Sequence, residues 1–280
     1  MRVDQLELGG MPARLHSCTP TSLTTWLDCP RRYRFTYLDR PRPAKGAPWA
    51  HNSLGAAVHN ALRDWWELPL AERTPMAAAG LVAAKWVSEG WRDERQQAEW
   101  RDLAIGWVGD YLASIDPHDE PIGIERTVAL RTTTLALSGR IDRLDERADG
   151  LAVVDYKTGR WVPGTDEARS SMALAIYAAA AASTLRRPCT TVELHHLPTG
   201  TITIWEHTEQ SLQRQLSRAE AIAEEVVAAR AALTAGGDGD ELFPTNATPL
   251  CSWCDFRVSC PAGQVASQQI SSWAAVATPE

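Results

Sequence analysis

Residues 139–159 read GRIDRLDERADGLAVVDYKTG, and the assignment of this stretch decides the fold. Asp142 stands on one run of alternating apolar residues, Asp155 and Lys157 stand on the next, and the ADG between them has the composition of a hairpin turn. Strand alternation puts Asp155 and Lys157 on one face and turns Tyr156 to the other. The hairpin brings Asp142 up to Asp155. Two carboxylates side by side raise a pKa unless a cation lies between them, and hard divalent ions such as Mg2+ or Mn2+ prefer oxygen ligands of this kind. A lysine beside such an ion can orient or deprotonate a water, or neutralise charge building on a phosphate. Alone, Asp-x-Lys is a short pattern that usually marks a structural ion pair. Its flanks, Gly-Arg-Ile-Asp before and Thr-Gly after, raise its specificity.

Upstream of the hairpin, IGIERTVAL (122–130) reads as a neighbouring antiparallel strand, and it carries Glu125, which either reaches the same site or pairs with Arg126 or Arg140. Downstream, an Ala-rich helix over 166–185 precedes two more strands, TVELHHLP and TITIWEH, and a long helix over 209–235 ends at a flexible GGDGD joint. Before the strands, helical patterns cover 21–38, 53–68, 75–90 and 93–115. Their tryptophans, Trp65, Trp66, Trp86, Trp91, Trp100 and Trp107, read mainly as packing residues. The expected organisation is a loose arm at 1–18, a domain at 19–263 and a tail at 264–280. The domain divides into a helical part at 19–118, a sheet core at 119–235 and a cysteine segment at 250–263.

With 280 residues, 44% hydrophobic and 22% charged, the chain has the composition of an ordinary globular domain. No run of eighteen apolar residues occurs, so no membrane-spanning helix is expected. The N-terminal residues lack a secretory signal, which makes the cytoplasm the expected location. A net charge of −7 argues against a non-specific nucleic-acid coat but not against an enzyme acting on nucleic acid. Local basic clusters exist, with Arg31, Arg32 and Arg34 in one segment and Arg140 and Arg143 flanking Asp142.

Six cysteines in such a chain read as ligands or buried thiols before disulfides. Cys18 and Cys189 have no thiol neighbours and read as core. CSWCDFRVSC (251–260) gathers Cys251, Cys254 and Cys260, one thiol short of a four-ligand site. Cys29 resembles Cys260 in being followed by proline, and is the candidate fourth ligand. Such a site would close most of the chain into one loop and convert metal-binding free energy into folding free energy. Spacing alone leaves zinc and an iron–sulfur cluster both open.

Taken in order, LDCPRRYRFTYL (27–38), LGAAVHNAL (54–62), GRIDRLD (139–145), VVDYKTG (153–159) and CSWCDFRVSCP (251–261) resemble the PD-(D/E)XK nuclease superfamily. The likeness is to its RecB-type exonuclease branch with an iron–sulfur cluster, whose relatives include the AddB nuclease domain and CRISPR-associated exonucleases. The resemblance implies an α+β, restriction-endonuclease-like fold: a central mixed sheet flanked by helices, its N-terminal helical region stapled to the C-terminus by a four-cysteine cluster. It implies a metal-dependent DNA exonuclease acting at ends or on single strands, in DNA repair, recombination or CRISPR-type processing. His59, Asp142, Asp155 and the carbonyl of Tyr156 would bind Mg2+ or Mn2+, with Asp142, Asp155 and Lys157 catalytic. Cys29, Cys251, Cys254 and Cys260 would hold a [4Fe–4S] cluster, with zinc as the rival. Arg31, Arg32, Arg140 and Tyr177 are candidate DNA contacts. One departure stands out. Where relatives carry Gln-Leu-x-x-Tyr, this chain has ALAIY, with Ala173 at the glutamine position. That departure keeps an alternative in play, a catalytically weak or inactive DNA-binding scaffold of a helicase–nuclease complex. No Walker motif occurs, so a helicase or a repair or CRISPR protein would be a separate partner.

Overall fold

The sheet starts earlier in the chain than the sequence suggests. The computed structural model describes residues 15–277, so most of the expected arm and the last residues of the expected tail (278–280) lie outside the described residues. Within them, β1 (His16–Cys18) is already a strand. It is followed by β2 (Gly123–Arg131), β3 (Leu135–Arg147), β4 (Gly150–Lys157), β5 (Cys189–His196) and β6 (Thr201–Glu206). Strand β3 is the centre. Along one edge β2 pairs with it antiparallel, from Gly123 opposite Leu144 to Arg131 opposite Ala136. Two strands share the other edge: β4, antiparallel, covers Arg143–Arg147, and β1, parallel, covers Leu135–Leu137. Among the described residues, Ser138–Asp142 therefore has no strand partner on that side. Beyond β4 the sheet continues with β5, parallel, and β6, antiparallel to β5, which makes it mixed. The parallel β4–β5 step requires a crossover, and two helices supply it: α6 (Thr165–Ser170) and α7 (Met172–Leu185). The sequence predicts one helix here. Ser171 is extended and its side chain caps α7, so the helix is split in two.

Helices cover both faces of the sheet. On one, α7 packs with α1 (Pro20–Asp28) and α8 (Glu209–Thr234), and Leu23, Ile176 and Ile222 join Leu137, Leu151, Val153 and Val192 in one core. The other face is covered by α3 (Ala50–Glu67), α4 (Pro75–Ala84) and α5 (Glu94–Ala113), whose side chains enclose Val154 and Tyr156. In α3 the buried residues Leu54, Ala57, Val58, Ala61, Leu62 and Trp65 recur at three- and four-residue spacing and form its inward stripe. Caps set the starts: Thr19 and Ser22 form a capping box on α1, Thr74 caps α4, and Asp93 accepts from the Gln96 amide at 2.7 Å on α5. Helix α4 stops at Ala84, short of the expected Gly90, and Trp86 stacks on Trp91 at 5.2 Å in the segment that follows. Gly90, at φ 87°, presses against the start of α3 so closely that a Cβ there would sit 2.5 Å from the Pro48 carbonyl oxygen.

The two ends of the domain are tied together. The Cys29-Pro30 pair separates α1 from α2 (Pro30–Tyr37), as its composition predicts. The GGDGD segment is not a free joint: it leads into α9 (Gly239–Leu242) and Phe243, which is fully buried. The tail also packs. Beyond α10 (Pro261–Ala266), the Ser272 carbonyl accepts from the Ala50 amide, and Val276 is buried among the α3–α5 residues while its carbonyl accepts from Gln96. The described residues of the expected tail thus belong to the helical layer.

Candidate active site

The break in pairing along β3 is where the chemistry gathers. The β3–β4 ladder begins at Arg143 opposite Val154, and one register step outward, where Asp142 and Asp155 would meet, the strands are no longer paired. A side chain replaces the ladder bond: Asp142 Oδ2 accepts the Tyr156 amide hydrogen at 2.9 Å. Its other oxygen, Oδ1, lies 3.3 Å from His59 Nδ1, on the flank of α3. Opposite Asp142 on the β2 side, Glu125 interrupts the ladder with φ 45°, a left-handed conformation that costs a non-glycine residue about 1–2 kcal/mol. That turn brings its carboxylate in. His59, Glu125 and Asp142 each offer a ligand atom within 4.8 Å of the others. Glu125 also pairs with Arg140 at 2.7 Å, so both expected roles are present in one geometry.

Asp155 and Lys157 share a face of β4, and Lys157 Nζ lies 2.8 Å from Asp155 Oδ2. This oxygen is buried, and the lysine ammonium is the cation it faces. Burial pushes the Asp155 carboxyl above its usual value and the nearby Asp142 charge adds to the rise, while Lys157 opposes it. Burial alone would lower His59 and Lys157. For His59 the Asp142 hydrogen bond and charge outweigh it, for Lys157 the Asp155 charge does, and both are raised. A carboxylate raised by burial and by the charge of Asp142, beside a three-ligand group, is the donor set of a hard divalent cation.

The remaining predicted residues fall in different places. Tyr177 on α7 reaches the opening, its ring so close to Gly139 that a Cβ at that glycine would collide with it. Arg140 is largely exposed beside Glu125. Arg32 is half-exposed and pairs with Asp28 at 3.5 Å. The Arg31 guanidinium donates to the Phe243 carbonyl at 2.9 Å and pairs with Asp240 at 3.1 Å. It is a tether for the C-terminal segment, with Arg34 beside it on Asp240.

Cys29, Cys251, Cys254 and Cys260 line one cavity of about 520 Å3 that Arg32, Phe35 and Gly263 help enclose. All four are free thiols. Among the described residues, no three of these sulfurs lie within 4.8 Å of one another. Backbone amides point at three of them: Asn246 at Cys29 Sγ (3.5 Å), Thr248 at Cys251 Sγ (3.5 Å) and Gly263 at Cys260 Sγ (3.4 Å). Cys18 and Cys189 are buried in the core, and burial raises their thiols to about 11 and about 12.

A second ionic group lies behind Tyr156; the sequence singles out its Arg143 only as part of a basic cluster, yet that side chain is buried. Arg143 donates to Asp145 at 2.7 Å, and Arg147 donates to Asp145 and both oxygens of Glu193. His195 bridges Glu193 at 2.8 Å and the Tyr111 hydroxyl at 2.7 Å. Arg143 also donates to the Tyr111 and Tyr156 hydroxyls. Its signal is ELHH (193–196), where charged and titratable residues alternate into a buried stretch of strand.

The family model of the PD-(D/E)XK nuclease superfamily matches residues 17–261. No curated protein matches. Among solved structures that do, one described as "Crystal structure of SSO0001" is 18% identical, with 60% of this chain and 79% of that chain covered at a TM-score of 0.30.

Proposed function

The chain belongs to the PD-(D/E)XK nuclease superfamily, and on that premise we propose that it is a metal-dependent deoxyribonuclease, an exonuclease acting at DNA ends or on single strands. The observation that carries this reading is the convergence of His59, Glu125 and Asp142 within 4.8 Å, next to the Asp155–Lys157 pair. The donor set fits Mg2+ or Mn2+: His59, Asp142 and Asp155 would hold the ion together with the Tyr156 carbonyl, and Glu125 joins them as a further ligand. When bound, the ion polarises the scissile phosphodiester and lowers the pKa of a water. Tyr156 fixes the Asp142 carboxylate through its amide, and the raised His59 must shed its proton before it can ligate. Lys157, kept protonated by Asp155, carries positive charge to the phosphate oxygens and orients the attacking water. In-line displacement of the 3′-oxygen leaves a 5′-phosphate.

In this reading Cys29, Cys251, Cys254 and Cys260 hold a [4Fe–4S] cluster. Four thiolates suit zinc as well, and the resemblance to the cluster-bearing branch is what favours the cluster. Amide donors on the sulfurs suit thiolate ligands in either case. Iron and sulfide analysis of anaerobically purified protein decides between them. The expected setting is the cytoplasm, beside a separate helicase or a repair or CRISPR protein. No described helix is long and apolar enough to cross a membrane. The Ala173 position, a methyl group where relatives have an amide, favours the scaffold reading, and one experiment separates the two. End-labelled single- and double-stranded DNA is incubated with Mn2+ or Mg2+ and either the wild type or Asp155→Ala. Metal-dependent shortening by the wild type alone is the expected result. No shortening by folded, cluster-loaded protein overturns the nuclease in favour of the scaffold.

A further inference from the structure

Lys157 is followed by Thr-Gly-Arg-Trp-Val-Pro, and the structure holds this loop at both ends while leaving its middle open. His196, itself buried, contacts the Gly159 carbonyl through Nε2 at 2.7 Å. Thr203 donates to the Pro163 carbonyl at 2.7 Å. At the loop's start, Thr158 Oγ1 lies 3.5 Å from where a Cβ on Gly55 would stand, one helical turn before His59 on α3. Between these anchors, Trp161 is 81% exposed, the most exposed tryptophan among the described residues. The Arg160 guanidinium sits 5.9 Å from its ring centroid.

Most of the other tryptophans are at least half-buried, as the cost of leaving an indole in water predicts. An indole displayed on a loop pinned at both ends, beside a cation and directly after the lysine of the candidate site, has the parts of a base-stacking platform. The ring offers a π-face to any base, and the arginine offers charge to the adjoining phosphate. A loop already fixed by His196 and Thr203 loses little freedom when a strand docks. We infer that Trp161, positioned by this loop and assisted by Arg160, stacks on an unpaired nucleobase of the strand entering the site. This rests on the nuclease reading for the identity of the ligand, and it adds a preference for unpaired over duplex DNA.

The test separates binding from cleavage. Full-length protein without divalent ion is titrated with oligo(dT) and with an abasic strand of equal length, following tryptophan emission and affinity in the wild type, Trp161→Ala and Trp161→Phe. Base–aromatic stacking predicts that Trp161→Ala binds oligo(dT) about tenfold more weakly, loses its preference over the abasic strand, and regains most of both in Trp161→Phe. The emission quenched by oligo(dT) in the wild type is largely missing in Trp161→Phe. Wild-type affinity and quenching in Trp161→Ala overturn the inference, whether or not the protein cleaves DNA, and assign the patch to something else, such as a protein partner. Quenching at Trp161 without metal-dependent cleavage by the wild type keeps the stacking site and removes the nuclease instead.

Discussion

Two groups of ionisable side chains lie on opposite sides of Tyr156, and they are built on different principles. Behind it, two arginines and His195 face Asp145 and Glu193, and the charges meet in hydrogen bonds of 2.7–3.0 Å. Burial alone would raise Glu193, yet its bonds to His195 and Arg147 outweigh that and hold the carboxyl down at about 2. In front, Glu125, Asp142 and Asp155 face His59 and Lys157, and Asp155 is pushed up. The rear group sets two guanidiniums against two carboxylates, so its charges balance even though Arg143 Nε and Asp145 Oδ1 lack hydrogen-bond partners. The front group sets three carboxylates against one lysine and a titratable histidine, with Arg140 on its exposed rim, and a cation between the carboxylates would complete it. Tyr156 joins them, its hydroxyl taken by Arg143, its ring edge-on to His59 at 5.8 Å and its amide on Asp142.

That contrast is breakable by experiment. Asp155→Asn lowers the cleavage rate by about 10²–10⁴-fold while the metal-free melting temperature stays level or rises, because the neutral amide ends the repulsion with Asp142 and the partly exposed Lys157 can turn to solvent. A large loss of stability in that variant would put the front group in the structural class. Glu193→Ala does the reverse, costing on the order of 3 kcal/mol by leaving Arg147 and His195 without their acceptor, which lowers Tm by roughly 6–12 °C in thermal unfolding. The pH dependence has a definite sign. Glu193 binds its proton less readily folded than unfolded, so its contribution is complete above its usual value of 4.5 and disappears as pH falls towards about 2. Denaturant midpoints measured over that window should fall more steeply for the wild type than for Glu193→Gln.

A smaller effect separates the two groups by ligand. Mn2+ at a hundredfold excess over its dissociation constant raises wild-type stability by about 2.7 kcal/mol, a gain that Glu193→Gln keeps and Asp142→Asn loses. An equal shift in Asp142→Asn would mean that the ion binds elsewhere. The smallest expected change is at Glu125. Glu125→Gln alters metal-free stability by less than about 1 kcal/mol, since its partner Arg140 is largely exposed, yet it weakens Mn2+ binding in calorimetry. Unchanged Mn2+ affinity would return Glu125 to a simple ion pair.

The amino-acid sequence by itself determined the β3–β4 hairpin, the pairing of Asp155 with Lys157 on one face, the inward stripe of α3 and the break at Cys29-Pro30. Each follows from local alternation, helical spacing or proline chemistry, which act over a few residues. Only the tertiary structure decided that β1 and β4 share one edge of β3 and leave Ser138–Asp142 open between them, because that depends on contacts between segments far apart in the chain. The same holds for Arg31, whose place in a basic cluster gives no sign that Phe243 and Asp240 will claim its guanidinium. Glu125 shows both halves at once. Its strand was legible from β-branched neighbours, but the left-handed turn that swings its carboxylate to His59 and Asp142 exists only where the packed strands and α3 hold it there.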